Sequence, residues 1–172
     1  SDGSLSCVSF SIGARVQVFL SSVSGAHRDP DKTIDVVQNA AMRLIDDCVK
    51  DGVRRFVMVS AIGADPESES DRIRHYLRAK GIADNHLRAS GLDYVILQPG
   101  RLQDETGTGR IEVAEDLERH ETIAREDVAD AIIECLRNYL TIGKTIRMVS
   151  GELKIKDAIA QFAGGGNLPP IA

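Results

Sequence analysis

The stretch from Arg54 to Arg101 constrains the fold more than any other part of the chain. It opens with the apolar run Val57-Met58-Val59, which stops at Ser60-Ala61. A polar loop follows, then RHYLRAKGIADNHLRASG, then a second apolar run from Tyr94 to Leu97 that stops at Gln98-Pro99-Gly100. Runs this short and continuous suit strands covered on both faces, and a helix between two of them makes a βαβ unit with parallel strands. In such sheets the ligand binds outside the carboxyl ends of the strands. Ser60 and Pro99-Gly100 lie at those ends and are candidate site residues. The helix contributes Tyr76 and Lys80 in a Tyr-x-x-x-Lys spacing. Four residues make about one helical turn, so the phenol and the ammonium share a face.

The rest of the chain extends this alternation. Residues 1–14 are rich in Ser and Gly and are read as an irregular N-terminal segment, with a frayed end or a short edge strand as alternatives. Arg15 to Leu20 reads as a strand, because Val16, Val18 and Leu20 alternate with Gln17 and Phe19. Ser21, Ser22, Ser24 and Gly25 then either line a polar site or form a solvated connection. Asp31 or Thr33 caps a helix whose apolar positions Ile34, Val37, Ala41, Leu44, Ile45 and Cys48 recur to about Lys50. Gly52 closes it.

Beyond Gly100, residues 101–109 read as a loop over the site. Arg110 to Ala114 and Glu121 to Ala124 read as short strands, and Glu126 to Asn138 as a helix with Asp127 near its positive end. Thr145 to Val149 is expected as the last strand and Lys154 to Phe162 as a short helix. Gly107-Thr108-Gly109 does not follow a strand and open a helix, so it is not by itself a phosphate cradle. Residues 15–163 thus make one α/β domain, followed by a Gly- and Pro-rich tail, 164–172, expected to be flexible.

Bulk properties narrow the function. A length of 172 residues fits one domain with a sizeable core. A net charge of -5 argues against nucleic acid as the main partner. Arg72, Arg74, Arg78 and Lys80 do cluster, and the plain reading of that cluster is a solvated helix face. Cys7, Cys48 and Cys135 are far apart with no Cys-x-x-Cys, which suggests reduced thiols in a cytoplasmic protein. The four histidines have no metal-ligand spacing, so no metal is expected. No apolar run has the length of a membrane span, and no signal-peptide pattern is seen.

Taken in order, RRFVMVSAIGA, HYLRAKGIADNHLRASGLDYVILQPGRL, TIAREDVADAII and GKTIRMVSG resemble the atypical short-chain dehydrogenase/reductases. Within that group they look like the NAD(P)H-binding, NmrA-like and flavin-reductase-like branch. The similarity runs from about Val16 to Phe162. It implies a Rossmann-like, doubly wound parallel sheet with flanking helices. It implies NADP as cofactor, with NAD the alternative, and an unidentified small-molecule substrate. Cofactor contacts are implied for Ser60, Ala61, Lys80, Pro99 and Gly100, with Arg101 reaching a phosphate or a substrate acid. Catalytic roles are implied for Tyr76 as proton donor, Lys80 as ribose ligand and modulator of the phenol, and Ser60 as the group that orients a carbonyl. A free phenol titrates near 10, so a nearby cation would be needed to bring it toward neutrality. Against these roles stands the plainer reading, with the Tyr76 ring packed on the sheet and Lys80 a solvated surface lysine.

The chain departs from the family pattern at its N-terminus. The first strand and the Gly-x-x-Gly-x-x-Gly turn, which sets backbone N–H groups against the pyrophosphate, are not seen. RVQVFL matches the strand after the topological switch, so the fold expected is a partial Rossmann-like domain, the C-terminal portion of the family fold. That strand would present an uncovered apolar edge open to self-association. The functional expectation is an NAD(P)-dependent oxidoreductase acting on a small carbonyl, flavin or quinone-like substrate, or the incomplete part of one. The alternatives are a non-catalytic NAD(P)-sensing or protein-interaction module and an inactive truncated fragment.

Overall fold

The computed structural model describes residues 6–11, 16–22, 34–70, 73–115, 117–118 and 120–164, with side chains described from Val37 onward. In chain order the elements are β1 (Ser6–Ser11), β2 (Val16–Ser22), a π-helical turn (Ile34–Asn39) running into α1 (Ala40–Lys50), β3 (Arg55–Val59), α2 (Arg74–Ala89) and β4 (Asp93–Pro99). There follow β5 (Arg101–Gln103), β6 (Arg110–Val113), β7 (Thr122–Ala124), α3 (Arg125–Arg137), a 3-10 turn (Tyr139–Thr141), β8 (Lys144–Ser150), β9 (Leu153–Lys154) and α4 (Ile155–Ala163).

The main sheet has the order β1-β2-β3-β4-β8-β6-β9. Its centre, β2-β3-β4-β8, is parallel, and β1, β6 and β9 add antiparallel flanks. The continuous apolar runs become strands covered on both faces, and all five residues of β3 are buried. Successive side chains of a strand point to opposite faces. Val57, Val59, Val95 and Leu97 therefore pack with Ile111, Ile132, Ile146 and Ile159 in the layer covered by α3 and α4. Phe56, Met58 and Ile96 pack with Ile45, Ala83 and Leu87 beneath α1 and α2. Gly52 holds φ +73°, the left-handed position that lets the chain leave α1 and enter β3.

Three local expectations are revised. Within the N-terminal segment read as irregular, Ser6–Ser11 pair antiparallel with β2, Ser6 opposite Ser22 and Ser11 opposite Gln17. β2 therefore has a strand on each side, and the edge expected there is occupied by β1. Part of the loop expected at 101–109 is β5, which pairs in parallel with β7 in a separate two-stranded sheet. The Arg101 N–H donates to the Glu121 carbonyl at 2.7 Å, which starts that pairing. β9 also lay outside the expected elements. Ser24, Gly25, Asp31, Thr33, Arg72 and the tail from residue 165 lie outside the described residues. Among the described residues no helix is long and apolar enough to cross a membrane, and no group of His, Cys, Asp and Glu gathers as a metal site.

Candidate active site at the carboxyl end of the sheet

The end of β3 and one face of α2 form the site. Lys80 points from α2 to the strand end, where its Nζ donates to the carbonyl of Val59 at 2.9 Å. It is only 2% exposed, so the ammonium is held away from water. Burial brings it down to about 8, with the Asp84 carboxylate acting in the opposite direction. The next residue, Gly81, lets the backbone after Ser60 come close. A Cβ there would lie 2.4 Å from the Asp65 carbonyl carbon. The Asp65 N–H donates to the Leu77 carbonyl at 3.2 Å, so the loop after β3 is folded back onto α2 beside Lys80.

Ser60 continues the strand ladder, donating its N–H to the Leu97 carbonyl at 2.7 Å. Its Oγ donates to Asp84 Oδ2 at 3.0 Å. Gln98 Nε2, from the end of β4, donates to the same oxygen at 3.1 Å. The register places Arg147 of β8 opposite Gln98, and Arg147 Nε donates to Gln98 Oε1 at 3.4 Å. Arg147 Nη1 also donates to the Glu115 carbonyl. A polar chain thus runs from residue 115 across β8 and β4 to a fully buried carboxylate. Burial raises Asp84, and the Ser60 and Gln98 hydrogen bonds and the Lys80 and Arg88 charges oppose that rise. Its Oδ1 has no hydrogen-bond partner.

Tyr76 is half-buried, and its ring packs against Val37 and Ala79. Lys80 Nζ lies 5.7 Å from the ring centroid, over the ring face. Burial, and then the Asp84 charge, push the phenol up to about 12. The resemblance implied a phenol lowered by Lys80, and in this arrangement the balance runs the other way. Pro99 and Gly100 are buried, and their backbone is engaged within the chain. The Pro99 carbonyl accepts from the Ile62 N–H at 3.2 Å, and the Gly100 N–H donates to the Met148 carbonyl at 2.9 Å. A Cβ on Gly100 would meet the Glu121 carbonyl oxygen at 2.3 Å, so the space left by its missing side chain is filled by the chain itself. Ala61 is half-buried beside Ser60, and Arg101 is exposed beyond the strand end.

The structure brings Ser60 and Lys80 to the end of β3 with the Tyr76 ring beside Lys80, and all three feel Asp84, a residue that the sequence reading missed: Ser60 through a hydrogen bond, Lys80 and Tyr76 through its charge. The available signal was its place four residues after Lys80, between Ala83 and Leu87 on the buried stripe of α2. Gly107-Thr108-Gly109 does cradle an anion, but an internal one. The Gly109 and Thr108 N–H groups donate to Asp127 at 2.7 and 3.1 Å, and the Gly107 N–H donates to Glu126 at 2.6 Å. This ties the loop to the start of α3. Two open grooves flank α3 and α4, the larger about 640 Å³, and neither is lined by Ser60, Tyr76 or Lys80.

Comparison with known proteins places the fold in a family. The NAD(P)H-binding family pattern matches residues 12–139. An uncharacterized sugar epimerase of Bacillus subtilis is 36% identical over 146 residues, covering 84% of this chain and 68% of that protein. A solved structure from Bacillus halodurans, assigned to the NAD-dependent epimerase/dehydratases, is 40% identical with a TM-score of 0.77, covering 84% of this chain and 68% of that one. A Lactococcus lactis oxidoreductase is 30% identical with a TM-score of 0.73, covering 87% and 69%. The chain thus spans about two thirds of each of these proteins. The match over residues 12–139, these relatives and the parallel sheet with its flanking helices make this chain a member of the NAD(P)H-binding family, with its Rossmann-like α/β fold.

Proposed function

We propose that the chain works as an NAD(P)-dependent oxidoreductase, in the cytoplasm, on a small carbonyl, flavin or quinone-like substrate. The observation that carries this reading is Lys80, a buried ammonium aimed at the carboxyl end of β3. That is where sheets of this kind take their ligands. A bound nicotinamide would supply the hydride. Lys80 fits the ribose hydroxyls, because a buried ammonium at the strand end is a hydrogen-bond donor with no acceptor capacity of its own. Ser60-Ala61 and the Pro99-Gly100 turn form the adjoining wall, and Arg101 reaches outward for a phosphate or a substrate acid. NADP is preferred to NAD on the resemblance.

Tyr76 is the proton donor in this reading. A phenol that keeps its proton up to about 12 is still an acid toward an alkoxide, which is a far stronger base. The packing of its ring on Val37 and Ala79 favours a second reading, in which the chain binds dinucleotide as a sensor without turnover. Calorimetric titration with NADPH and NADH tests the common premise. Micromolar binding, tighter for NADPH, is the expected result. Absence of heat from either would remove both readings. Tyr76→Phe then separates them, because a sensor would bind as before and have no turnover to lose.

A further inference from the structure

A serine hydroxyl has one hydrogen, and at Ser60 that hydrogen is committed inward. Its acceptor is Asp84 Oδ2, 3.0 Å away. The same oxygen takes the Gln98 amide hydrogen at 3.1 Å. Gln98 cannot present its oxygen instead, because Oε1 is the atom that accepts from Arg147 Nε. Oδ2 thus faces two hydrogen-bonding groups, while Oδ1 has no hydrogen-bond partner. While Asp84 is ionised it can only accept, so Ser60 donates to it and only lone pairs of its Oγ remain. The preceding residue is Val59, whose carbonyl holds the Lys80 ammonium. An acceptor and a donor thus stand one residue apart at the strand end.

We propose that Asp84 is a positioning residue that makes Ser60 a hydrogen-bond acceptor toward the bound ligand, so that the group seated there carries a donor hydrogen, a hydroxyl or a primary amide, rather than a bare carbonyl. This rests on the dinucleotide reading for the identity of the ligand, while the hydrogen-bond polarity rests on the side chains alone. It differs from a role for Ser60 in orienting a substrate carbonyl, which needs the hydrogen that Asp84 takes. The groups facing Asp84 are Tyr76, Lys80 and Arg88 on its own helix, Ser60 after β3 and Gln98 on β4, with Arg147 behind Gln98.

Two measurements on the full chain test it. The first follows the Asp84 carboxyl carbon by NMR against pH, with the signal identified by its loss in Asp84→Asn. Ser60→Ala removes a donor to the carboxylate and is expected to raise the midpoint by about one pH unit; an unchanged midpoint would overturn the proposal. The second compares binding of NADPH with its acetylpyridine counterpart, in which a methyl replaces the carboxamide NH2. The wild type is expected to favour the carboxamide by about 5-fold, the scale of one hydrogen bond. Asp84→Asn, whose amide oxygen still accepts from Ser60, should keep that preference. Ser60→Ala should abolish it, and Asp84→Ala, which lets the serine hydrogen turn toward the ligand, should reduce it. Equal affinities in the wild type, or a preference that survives in Ser60→Ala, would contradict the proposal. If neither dinucleotide binds any of these proteins, the oxidoreductase reading falls by itself, and the carboxyl titration alone decides the roles of Ser60 and Asp84.

Discussion

β3 has a buried cation at each end, and the two are used in opposite ways. Arg55 opens the strand and is 5% exposed. Its Nη2 donates to the carbonyls of Cys135 and Asn138, the latter at 3.1 Å, and to Thr141 Oγ1 at 3.1 Å. Those carbonyls lie in the last turn of α3 and just past it, where a helix leaves acceptors unsatisfied and its dipole favours positive charge. The exposed ring of Tyr139 covers the guanidinium at 5.0 Å. At the far end Lys80 donates to the Val59 carbonyl at the carboxyl end of the strand. Burial lowers both groups. A guanidinium nevertheless stays charged in any working range, whereas a lysine brought to about 8 can lose its proton. The amino end thus holds a fixed charge that fastens a helix to the sheet, and the carboxyl end holds an adjustable one. In the proposed reading, five residues of one strand separate a structural cation from a ligand-binding one.

The largest expected effect tests the structural end. Arg55→Leu removes the donor to two carbonyls and is expected to cost about 3 kcal/mol, read from the urea midpoint. A loss well under 1 kcal/mol would mean that water or a neighbour replaces the guanidinium, and the contrast between the two ends would weaken.

A slightly smaller effect comes from Lys80 through pH. Its value falls from 10.5 in the unfolded chain to about 8 in the fold, so the unfolded chain binds the proton more tightly. The cost of burying the charge is fully present below about 8 and is relieved as pH rises from there toward 10.5. Stability of the wild type relative to Lys80→Met should therefore increase over that window, by at most about 3 kcal/mol. Urea midpoints of both proteins at several pH values check this. A flat difference would mean that Lys80 is solvated, and the two ends of β3 would no longer differ in kind.

Tyr76→Phe sharpens the comparison on the ligand side. If Tyr76 is the proton donor, turnover should fall by about 10²-fold or more. Because the phenol is pushed up to about 12, the wild-type rate should show no Tyr76 limb near neutrality. Unchanged turnover in Tyr76→Phe would leave a mechanism of hydride transfer alone.

Much of this arrangement was legible in local pattern. The unit β3-α2-β4 was visible because fully buried strands leave unbroken apolar runs; Ser60 was singled out where the first run stops, and Tyr76 and Lys80 by their spacing on the helix between. What escaped depends on contacts distant in sequence. Arg55 looks like an ordinary charge at a strand start, and its acceptors lie eighty residues and more away. Asp84 has the appearance of a polar helix position, and only the arrival of Ser60 and Gln98 from two strands makes it a buried hub. β1 is too rich in serine to declare itself, and its form comes from pairing with β2. The use of the Thr108 and Gly109 N–H groups by Asp127 also required the fold.

The most direct test of the division along β3 is dinucleotide affinity, measured by calorimetry at low temperature for wild type, Lys80→Ala and Arg55→Leu. Lys80→Ala should remain folded and bind NADPH at least about 10-fold more weakly, the loss of a charge-assisted hydrogen bond. Arg55→Leu should be the less stable protein and bind as the wild type does. Equal affinity in Lys80→Ala, or a loss of affinity confined to Arg55→Leu, would contradict the account.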